Sequence, residues 1–328
     1  MVETNAEYPT DIRLLNDAMR GVIRKTARLL GSFKVPGWRQ SHYNIQKVEK
    51  HYKQAQRSKK KSDSIKESTY KKYLEICQSY LNRSIENIEA LYESHQKCLE
   101  PDEYLKFSSH IENIRELQTH AVRQIDQIRL RVIEGEEIPT ASKVYSIYQP
   151  HTEWVVKGKA GVPVELGVKV CVIEDEYQFI LTHRVMYQEQ DVDVALPITQ
   201  KAKQLFPELC SCSYDKGFHS PENQTNLAEE LEHIVLPKKG KRNKQERERE
   251  ASEYFKAQRK QHSAVESCIN ALEHHGLDRC PDVGREGFNR YISLGILARN
   301  IQQLGRVLTL QENKRNKKSK SPPAKKAA

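Results

Sequence analysis

The sequence predicts an α/β protein in which a large, mostly helical segment follows the first strand. Apolar residues recur every three or four positions from Leu74 to Val132, which is typical of helices that bury one face. Near Pro139 the apolar period falls to two, the alternation of half-buried strands, and further strands and helices then follow in turn. The predicted organisation is a first strand within 1–11, a basic helical insertion over 12–138, an α/β domain over 139–311 and a disordered basic tail over 312–328.

The first half of the chain is predicted to be helical after a short strand. Residues 2–8 have the pattern of a strand end, Pro9 marks a turn, and Thr10 or Asp11 can cap the helix that follows. Two apolar stripes on either side of Pro101 then predict a hairpin of two packed helices. A coiled coil is the weaker alternative, because each stripe lasts only two or three heptads.

The second half predicts one mixed sheet flanked by helices. Residues 164–172 alternate cleanly and should pair with a strand in 177–187 through a tight turn at 174–176. Ser220 should cap a helix over 221–233. The remaining predicted elements are strands at 144–148, 209–214 and 234–237 and helices at 191–205, 252–275 and 288–310.

Positive charge is concentrated in three basic runs. The whole chain has 54 Lys and Arg against 44 Asp and Glu, and its pI is about 9.1. Segment 20–72 alone carries 16 Lys and Arg against three acids, and shorter basic runs occupy 238–244 and 314–326. A solvated face or a disordered tail would explain any one run. Three runs in one basic protein favour a polyanionic partner, above all nucleic acid.

Composition argues against several classes of protein. The longest apolar runs are far shorter than a membrane-spanning helix, and the first residues lack the basic and apolar regions of a signal peptide. Seven scattered cysteines lack the spacing of zinc ligands, and free thiols indicate a reducing, cytoplasmic location. The sequence offers no pairing of a Ser or Cys nucleophile with its base and no glycine-rich phosphate loop.

Two acids are candidates for chemistry because of their positions. Asp215 directly follows the predicted strand 209–214 and precedes a glycine, so its carboxylate should reach the crevice where open α/β sheets bind ligands. The alternative is an aspartate that stabilises the loop through an Asx-turn. Glu266 lies on a predicted helix among small and apolar neighbours, so it is either buried with a partner or exposed in a cleft. Its alternative role is that of an acid at the boundary of an amphipathic helix.

Together the two acids suggest a carboxylate site for Mg²⁺, which prefers oxygen ligands. Two such ions roughly 4 Å apart can activate a nucleophile and stabilise the leaving oxygen in phosphodiester cleavage. Such a site needs about three carboxylates, and the third should lie on the first, central strand of the sheet.

Five further residues are candidates for contacts with nucleic acid. Lys238 and Lys239 follow a predicted strand and can reach phosphates, or they belong to a solvated loop. His219 can assist a water molecule or hold nucleic acid, or it caps the local structure. Arg259 and His262 precede Glu266 by seven and four residues and share its helical face, so they can contact nucleic acid or support the acid, or they are plain surface residues.

Four segments resemble DDE-class transposases of bacterial insertion sequences. Residues 212–223, Cys-Ser-Tyr-Asp-Lys-Gly-Phe-His-Ser-Pro-Glu-Asn, are similar to the block around the second catalytic Asp of that family. Residues 262–267 with 276–280 are similar to its Glu block. Residues 287–291 with 297–300 are similar to the helix that closes the catalytic domain of that family. Residues 148–154, together with 157–159 and 164–167, are similar to its second-strand block.

The resemblance implies an RNase H-like mixed sheet flanked by helices, with a large helical insertion after the first strand. It implies DNA cleavage and strand transfer with two Mg²⁺ or Mn²⁺ ions, for which Asp215 and Glu266 would be metal-binding catalytic acids. The implied partners are double-stranded transposon-end DNA and target DNA, bound by a homo-oligomer at the nucleoid of a bacterial cytoplasm. The resemblance implies neither a membrane nor a small-molecule substrate as a partner.

The first catalytic Asp of the family has no match within this chain. By the family pattern it should precede Val2-Glu3-Thr4-Asn5, just upstream of Met1, so we expect the chain as numbered to cleave DNA poorly. Asp11 is the nearest aspartate, but its place at a helix start suits capping better. The alternative function is a non-enzymatic, nucleic-acid-binding remnant of a transposase. A general nuclease of the same fold is a weaker alternative.

Overall fold

The computed structural model describes residues 1–96, 98–139, 142–156 and 164–319. Its secondary structure is mixed α/β and mostly helical, which confirms the predicted class. The chain divides into two compact units. We call residues 6–150 the helical unit, and residues 1–5 together with 151–328 the α/β unit.

The described part of the helical unit contains four α-helices. They are α1 (Asp11–Ser32), α2 (Ser41–Ser58), α3 (Asp63–His95) and α4 (Pro101–Ile128), and a π-helical turn (Arg129–Glu134) continues α4. Helices α3 and α4 form the predicted hairpin, and α1 and α2 pack with them. The apolar faces meet in one core, in which Leu15, Tyr73 and Ile88 are fully buried. Pro101 is tolerated because it stands in the first turn of α4, where its missing N–H is not needed.

A small polar network lies inside this core. Thr26 Oγ1 and Ser84 Oγ are 2.7 Å apart, and Gln118 Nε2 donates a hydrogen bond of 2.9 Å to Ser84 Oγ. All three side chains are buried. Because burial without partners is costly for polar groups, these bonds fix the mutual register of α1, α3 and α4.

The strand predicted at 144–148 is wrong. The structure has no strand in this segment; Ile147 is buried in the helical core, and the Tyr148 hydroxyl donates a hydrogen bond of 3.1 Å to Asp17 O. The apolar side chain of Ile147 therefore serves the helical core rather than a sheet. A strand would need a neighbouring strand for its backbone groups, and this segment contacts the backbone of α1 instead.

The α/β unit contains an antiparallel sheet built on its longest strand. The strands are β1 (Val2–Glu3), β2 (Glu153–Val156), β3 (Val164–Glu174) and β4 (Ile180–Met186), and the first, second and fourth all pair with β3. The predicted β3–β4 hairpin is confirmed. Its turn lies later than predicted, because Asp175 Oδ1 accepts hydrogen bonds from Tyr177 N at 2.9 Å and Phe179 N at 2.8 Å. That Asx-type geometry places the reversal at 175–178.

Strand β1 is held on both of its edges. On one edge it pairs with β3 in the register Val2↔Val168 and Glu3↔Gly167. On the other edge Glu3 N donates to Asp278 O and Cys280 N donates to Glu3 O, both at 2.8 Å. Just beyond β1, the buried hydroxyls of Thr4 and Thr152 are 2.7 Å apart. The chain therefore leaves the α/β unit and returns to it at neighbouring points.

The described strands form two separate ladders rather than the single mixed sheet that was predicted. Strands β5 (Ser211–Ser213) and β6 (His233–Val235) pair in parallel with each other. A continuous sheet would require β5 to pair with the four-stranded sheet. The segment around Arg279 occupies the free edge of β1, so that edge offers no place for β5.

Five α-helices belong to the described part of the α/β unit. They are α5 (Asp191–Leu205), α6 (Pro221–Glu230), α7 (Lys244–Ala251), α8 (Glu253–Leu272) and α9 (Gly284–Ser319). The bounds of α5 are those predicted, and Ser220 caps α6 by accepting a hydrogen bond of 3.0 Å from Asn223 N. The long helix predicted at 252–275 ends earlier, at Leu272, and a π-helical turn (Glu273–Leu277) follows, in which Gly276 has a φ of 100°.

Two helical segments were not predicted. Helix α7 has no apolar stripe and is fixed by a capping box, in which Asn243 and Glu246 exchange hydrogen bonds of 2.8 Å. Helix α9 continues through 312–319, which charge alone had assigned to the tail, and residues 320–328 lie outside the described residues. No helix of the described ranges has both the length and the apolar content needed to cross a membrane.

The core of the α/β unit lies between the four-stranded sheet and the helices α8 and α9. Val168 of the sheet, Cys268 of α8 and Phe288 and Ile292 of α9 are all buried there. A second, smaller cluster lies between α5, α6 and the β5–β6 ladder, and it includes Tyr214 and Leu236. This second cluster fixes the strand end from which the candidate site projects.

Candidate functional site

Asp215 lies at the carboxyl end of β5, next to a buried tyrosine. Tyr214 N donates a hydrogen bond of 2.9 Å to Val235 O, which extends the parallel ladder by one residue. The Tyr214 hydroxyl is 2.6 Å from Thr199 Oγ1 of α5 and is buried with it. The Asp215 side chain is 66% exposed, and a 3₁₀ turn (Lys216–Phe218) follows. A rigid anchor therefore presents an exposed carboxylate at the end of a strand, where α/β proteins often bind ligands.

Two side chains of α8, Arg259 and His262, face this carboxylate. Arg259 Nη1 donates a hydrogen bond of 3.1 Å to Tyr214 O, and Arg259 Nη2 is 3.5 Å from Asp215 Oδ1. His262 Nε2 is 3.3 Å from the same carboxylate oxygen. The hydrogen bond with His262 and the charge of Arg259 lower the pKa of Asp215 below its usual value, although its partial burial opposes them. The α8 face that carries Arg259 and His262 is thus turned toward Asp215.

Glu266 lies one helical turn beyond His262 on the same face of α8. Its side chain is exposed and has no hydrogen bond or ion pair with another described residue. The structure therefore joins Asp215 to Arg259 and His262 by contacts, and it does not join Asp215 to Glu266. Within the described ranges, no group of three or more His, Cys, Asp or Glu side chains could hold a metal ion.

A further acid beside this loop was missed by the sequence reasoning. Asp191 begins α5, and its carboxylate oxygen lies 2.6 Å from the place where a Cβ on Gly217 would stand. Lys169 Nζ of β3 is 3.3 Å from Asp191 Oδ1. The loop after Asp215 can approach α5 this closely because residue 217 is a glycine. The sequence signal was present as an acid at a helix start, a position that usually indicates only capping or a helix-dipole contact.

A basic cleft of about 420 Å³ adjoins Asp215. Its lining combines cationic side chains from the loop after β5, the segment before α7 and the first turns of α8. The charged residues are Lys216, Arg242, Lys256, Arg259 and Lys260, with Glu250 as the one carboxylate among the described lining residues. Arg242 forms an ion pair of 2.7 Å with Glu250, which leaves the cleft strongly positive. Such a surface attracts phosphates.

Three of the sequence candidates lie elsewhere or are already engaged. Lys238 Nζ forms an ion pair of 2.8 Å with Glu246, and Lys238 N donates to Glu250 Oε1 at 2.7 Å. Lys239 is exposed. His219 is only 9% exposed, and burial together with the charge of Lys238 lowers its pKa. His219 therefore offers little surface to a phosphate and favours its neutral form.

The helical unit carries a basic surface of its own. A cleft of about 440 Å³ lies on α2, and its lining includes Lys50, Lys53 and Arg57 with Glu49. It belongs to the segment 20–72, which carries 16 Lys and Arg against three acids. This surface lacks a carboxylate at a strand end, so it can contribute affinity for a polyanion but has no counterpart of Asp215.

Asp11, the first aspartate of the chain, belongs to the helical unit. It stands in the first turn of α1 and forms an ion pair with Arg131. Its role in the structure is therefore the one expected for an acid at a helix start. Lys157 and Lys159, which are part of the second-strand block of the resemblance, lie outside the described residues.

Comparisons of the chain with known protein families, with characterised proteins and with solved structures find no match.

Proposed function

We propose that this chain binds the backbone of double-stranded DNA in the cleft beside Asp215, and that it is a transposase-type protein with an RNase H-like catalytic domain. One observation carries the proposal: the exposed carboxylate of Asp215 lies at a strand end, faced by α8, beside a cleft with five cationic side chains. Sequence-independent attraction between such side chains and phosphates supplies most non-specific affinity for DNA. The basic surface of α2 would add further contacts, and transposon-end and target DNA would be the natural ligands.

The catalytic part of the proposal concerns Asp215 and Glu266, which would hold Mg²⁺ or Mn²⁺. The bound ion would activate an oxygen nucleophile for phosphodiester hydrolysis and transesterification. The described residues fit two metal ions incompletely, because no contact joins Glu266 to Asp215 and because Asp215 already lies against Arg259 and His262. We therefore expect weak metal binding and little cleavage from this site, and we assign no catalytic step to the metal.

A second candidate function is nucleic-acid binding without catalysis. The contacts of Asp215 with Arg259 and His262 favour it, because they satisfy the carboxylate without a metal. In that case the acid orients these two side chains at the rim of the cleft, and a bound phosphate would lie against them. Both candidates predict that a homo-oligomer binds DNA at the same place, and they differ only in metal-dependent chemistry.

Salt-dependent DNA binding tests the common part of the proposal. The double variant Lys216→Ala/Lys256→Ala removes two cleft charges, and its matched control, Lys106→Ala/Arg123→Ala, removes two exposed charges from α4. With a slope near −0.9 per phosphate contact, the cleft variant should lower the slope of log affinity against log salt by about 1.8. The control has the same net charge as the cleft variant, but it should keep the slope of the parent chain. Fluorescence anisotropy with a labelled duplex measures both.

Equal losses in the cleft variant and its control would show that net charge alone explains binding, and would remove the cleft from the proposal. Between 50 and 200 mM salt, the loss of two phosphate contacts should make the fall in affinity about 12-fold smaller in the cleft variant than in the parent chain. Anisotropy resolves a difference of this size easily.

A nicking assay with Mg²⁺ or Mn²⁺ separates the two candidate functions. Asp215→Asn and Glu266→Gln should abolish any residual cleavage of a transposon-end duplex and leave binding largely intact. Absence of cleavage by the parent chain under every metal condition would favour the binding-only candidate. Full activity that persists in both variants would contradict their assignment, and Asp11 would then be the next residue to mutate.

A further inference from the structure

The outward face of α9 carries a continuous apolar stripe. The helix buries its opposite face against the sheet, where Phe288, Ile292 and Ile296 are at most 6% exposed. The outward side chains are between 49% and 61% exposed: Leu294, Leu297, Ile301, Leu304 and Leu308. Single exposed apolar residues are common, but five in one row on one helix are not.

The spacing of these residues is that of a coiled-coil seam. They follow each other at intervals of three, four, three and four residues. This is the a/d pattern of a heptad repeat, which keeps a seam in register with a second helix of the same repeat. The stripe is therefore shaped for another helix rather than for a flat surface or a small molecule.

We infer that a second copy of this chain covers the stripe, with α9 packed on α9. A seam of identical spacing is self-complementary, which is the condition for an interface with two-fold symmetry. The flanking positions Ala298, Asn300, Gly305 and Val307 are small or uncharged. In coiled coils, charges at these positions select or reject partners, so this helix has nothing there that repels an identical one.

The area of the stripe is sufficient for such a dimer. Five aliphatic side chains about half exposed present roughly 500 Å² per copy, so a pair would bury roughly 1,000 Å², near the lower limit for a specific interface. The dimer should therefore be real but moderate in affinity. The end of α9 is basic, with Lys314 and Arg315, and a parallel pair would bring these charges together. The antiparallel arrangement separates them.

The inference is independent of the proposed function, because the dimer should form without nucleic acid. Sedimentation equilibrium of the full chain in DNA-free buffer, over a wide range of concentrations, should show a reversible monomer–dimer equilibrium. The seam variant Ile301→Glu/Leu304→Glu should be monomeric throughout that range, since it places four buried charges in the interface of each dimer. The matched control Leu310→Glu/Leu105→Glu changes two residues that are 52% and 67% exposed and lie off the seam, and it should dimerise like the parent.

Three outcomes would overturn the inference. They are a parent chain that is monomeric at every concentration, a seam variant that still dimerises, and a control that loses dimerisation to the same extent as the seam variant. Circular dichroism checks that each variant is folded. If the glutamate pair fails to fold, Ile301→Ala/Leu304→Ala truncates two central residues of the seam while keeping good helix formers, and it should weaken dimerisation by at least tenfold. An unchanged dimer affinity in that variant would again overturn the inference.

Discussion

Replacing Gly167 with alanine should detach the first strand of the α/β unit. Gly167 lies opposite Glu3 in the ladder, and β1 crosses it so closely that an added Cβ would overlap the Val2 carbonyl oxygen. The same Cβ would stand 2.8 Å from Glu3 Cα. Both neighbours are backbone atoms, which cannot rotate away as a flexible side chain could. The strand itself must therefore move.

The cost follows from the hydrogen bonds that β1 would lose. They are Thr4 N to Leu166 O at 3.0 Å, and Glu3 N to Asp278 O and Cys280 N to Glu3 O at 2.8 Å each. At about 0.5–1.5 kcal/mol net for each of the three bonds, their loss would lower the free energy of unfolding by about 1.5–4.5 kcal/mol. For a unit of this size, that corresponds to a fall in Tm of roughly 5–15 °C.

Urea unfolding measures this change, and hydrogen exchange at the amides of Glu3, Thr4 and Cys280 reports on β1 directly. The matched control is Gly305→Ala, at an exposed position of α9 where nothing lies within 4 Å of an added Cβ. Because glycine weakens a helix interior, this control should stabilise the protein by about 0.5–1 kcal/mol. A Gly167→Ala protein with parental stability and parental protection of those amides would refute the close approach of β1.

Three further predictions concern buried or paired polar groups. Burial raises the pKa of Glu174, so its contribution to stability is full in acid and is lost as pH rises through the raised pKa. Glu174→Gln should therefore have a higher Tm than the parent at neutral pH. The difference in Tm should shrink toward pH of about 4. The pKa of Asp215 is lowered, so its contribution to stability is present at neutral pH and is lost in acid. Asp215→Asn should therefore have a lower Tm than the parent at pH 7 and the same Tm as the parent below pH of about 3. Ser84→Ala leaves Thr26 and Gln118 without their buried partner and should cost about 1–3 kcal/mol in urea unfolding.

Local patterns predicted the helices and the β3–β4 hairpin because each carries its own signal. The cap at Ser220 and the periodic faces of α3 and α4 are examples. The strand predicted at 144–148 failed because alternation within one segment cannot show whether a second strand lies beside it. Helix α7 was missed for the opposite reason: its stability comes from capping and ion pairs, which leave no apolar period.

The candidate site likewise has parts that the sequence could predict and parts that it could not. That Arg259, His262 and Glu266 share a face of α8 follows from helix geometry and was predictable. That this face turns Arg259 and His262 toward Asp215, more than 40 residues earlier in the chain, depends on how α8 packs against the β5–β6 ladder. The basic cleft was not predictable either, because its cations come from three separate segments, of which only the run 238–244 stood out by charge.

The neighbouring positions of Thr4 and Thr152 have a consequence for the order of folding. In the unfolded chain, pairing of β1 with β3 must close a loop that contains the whole of residues 6–150, and the entropic cost of closure grows with loop length. Prior folding of that segment would shorten the effective loop to a few residues. The first strand should thus dock late, after the inserted segment is compact. A short linker from Asn5 to His151 would serve the sheet equally well, so evolution could add, exchange or remove residues 6–150 without breaking a strand.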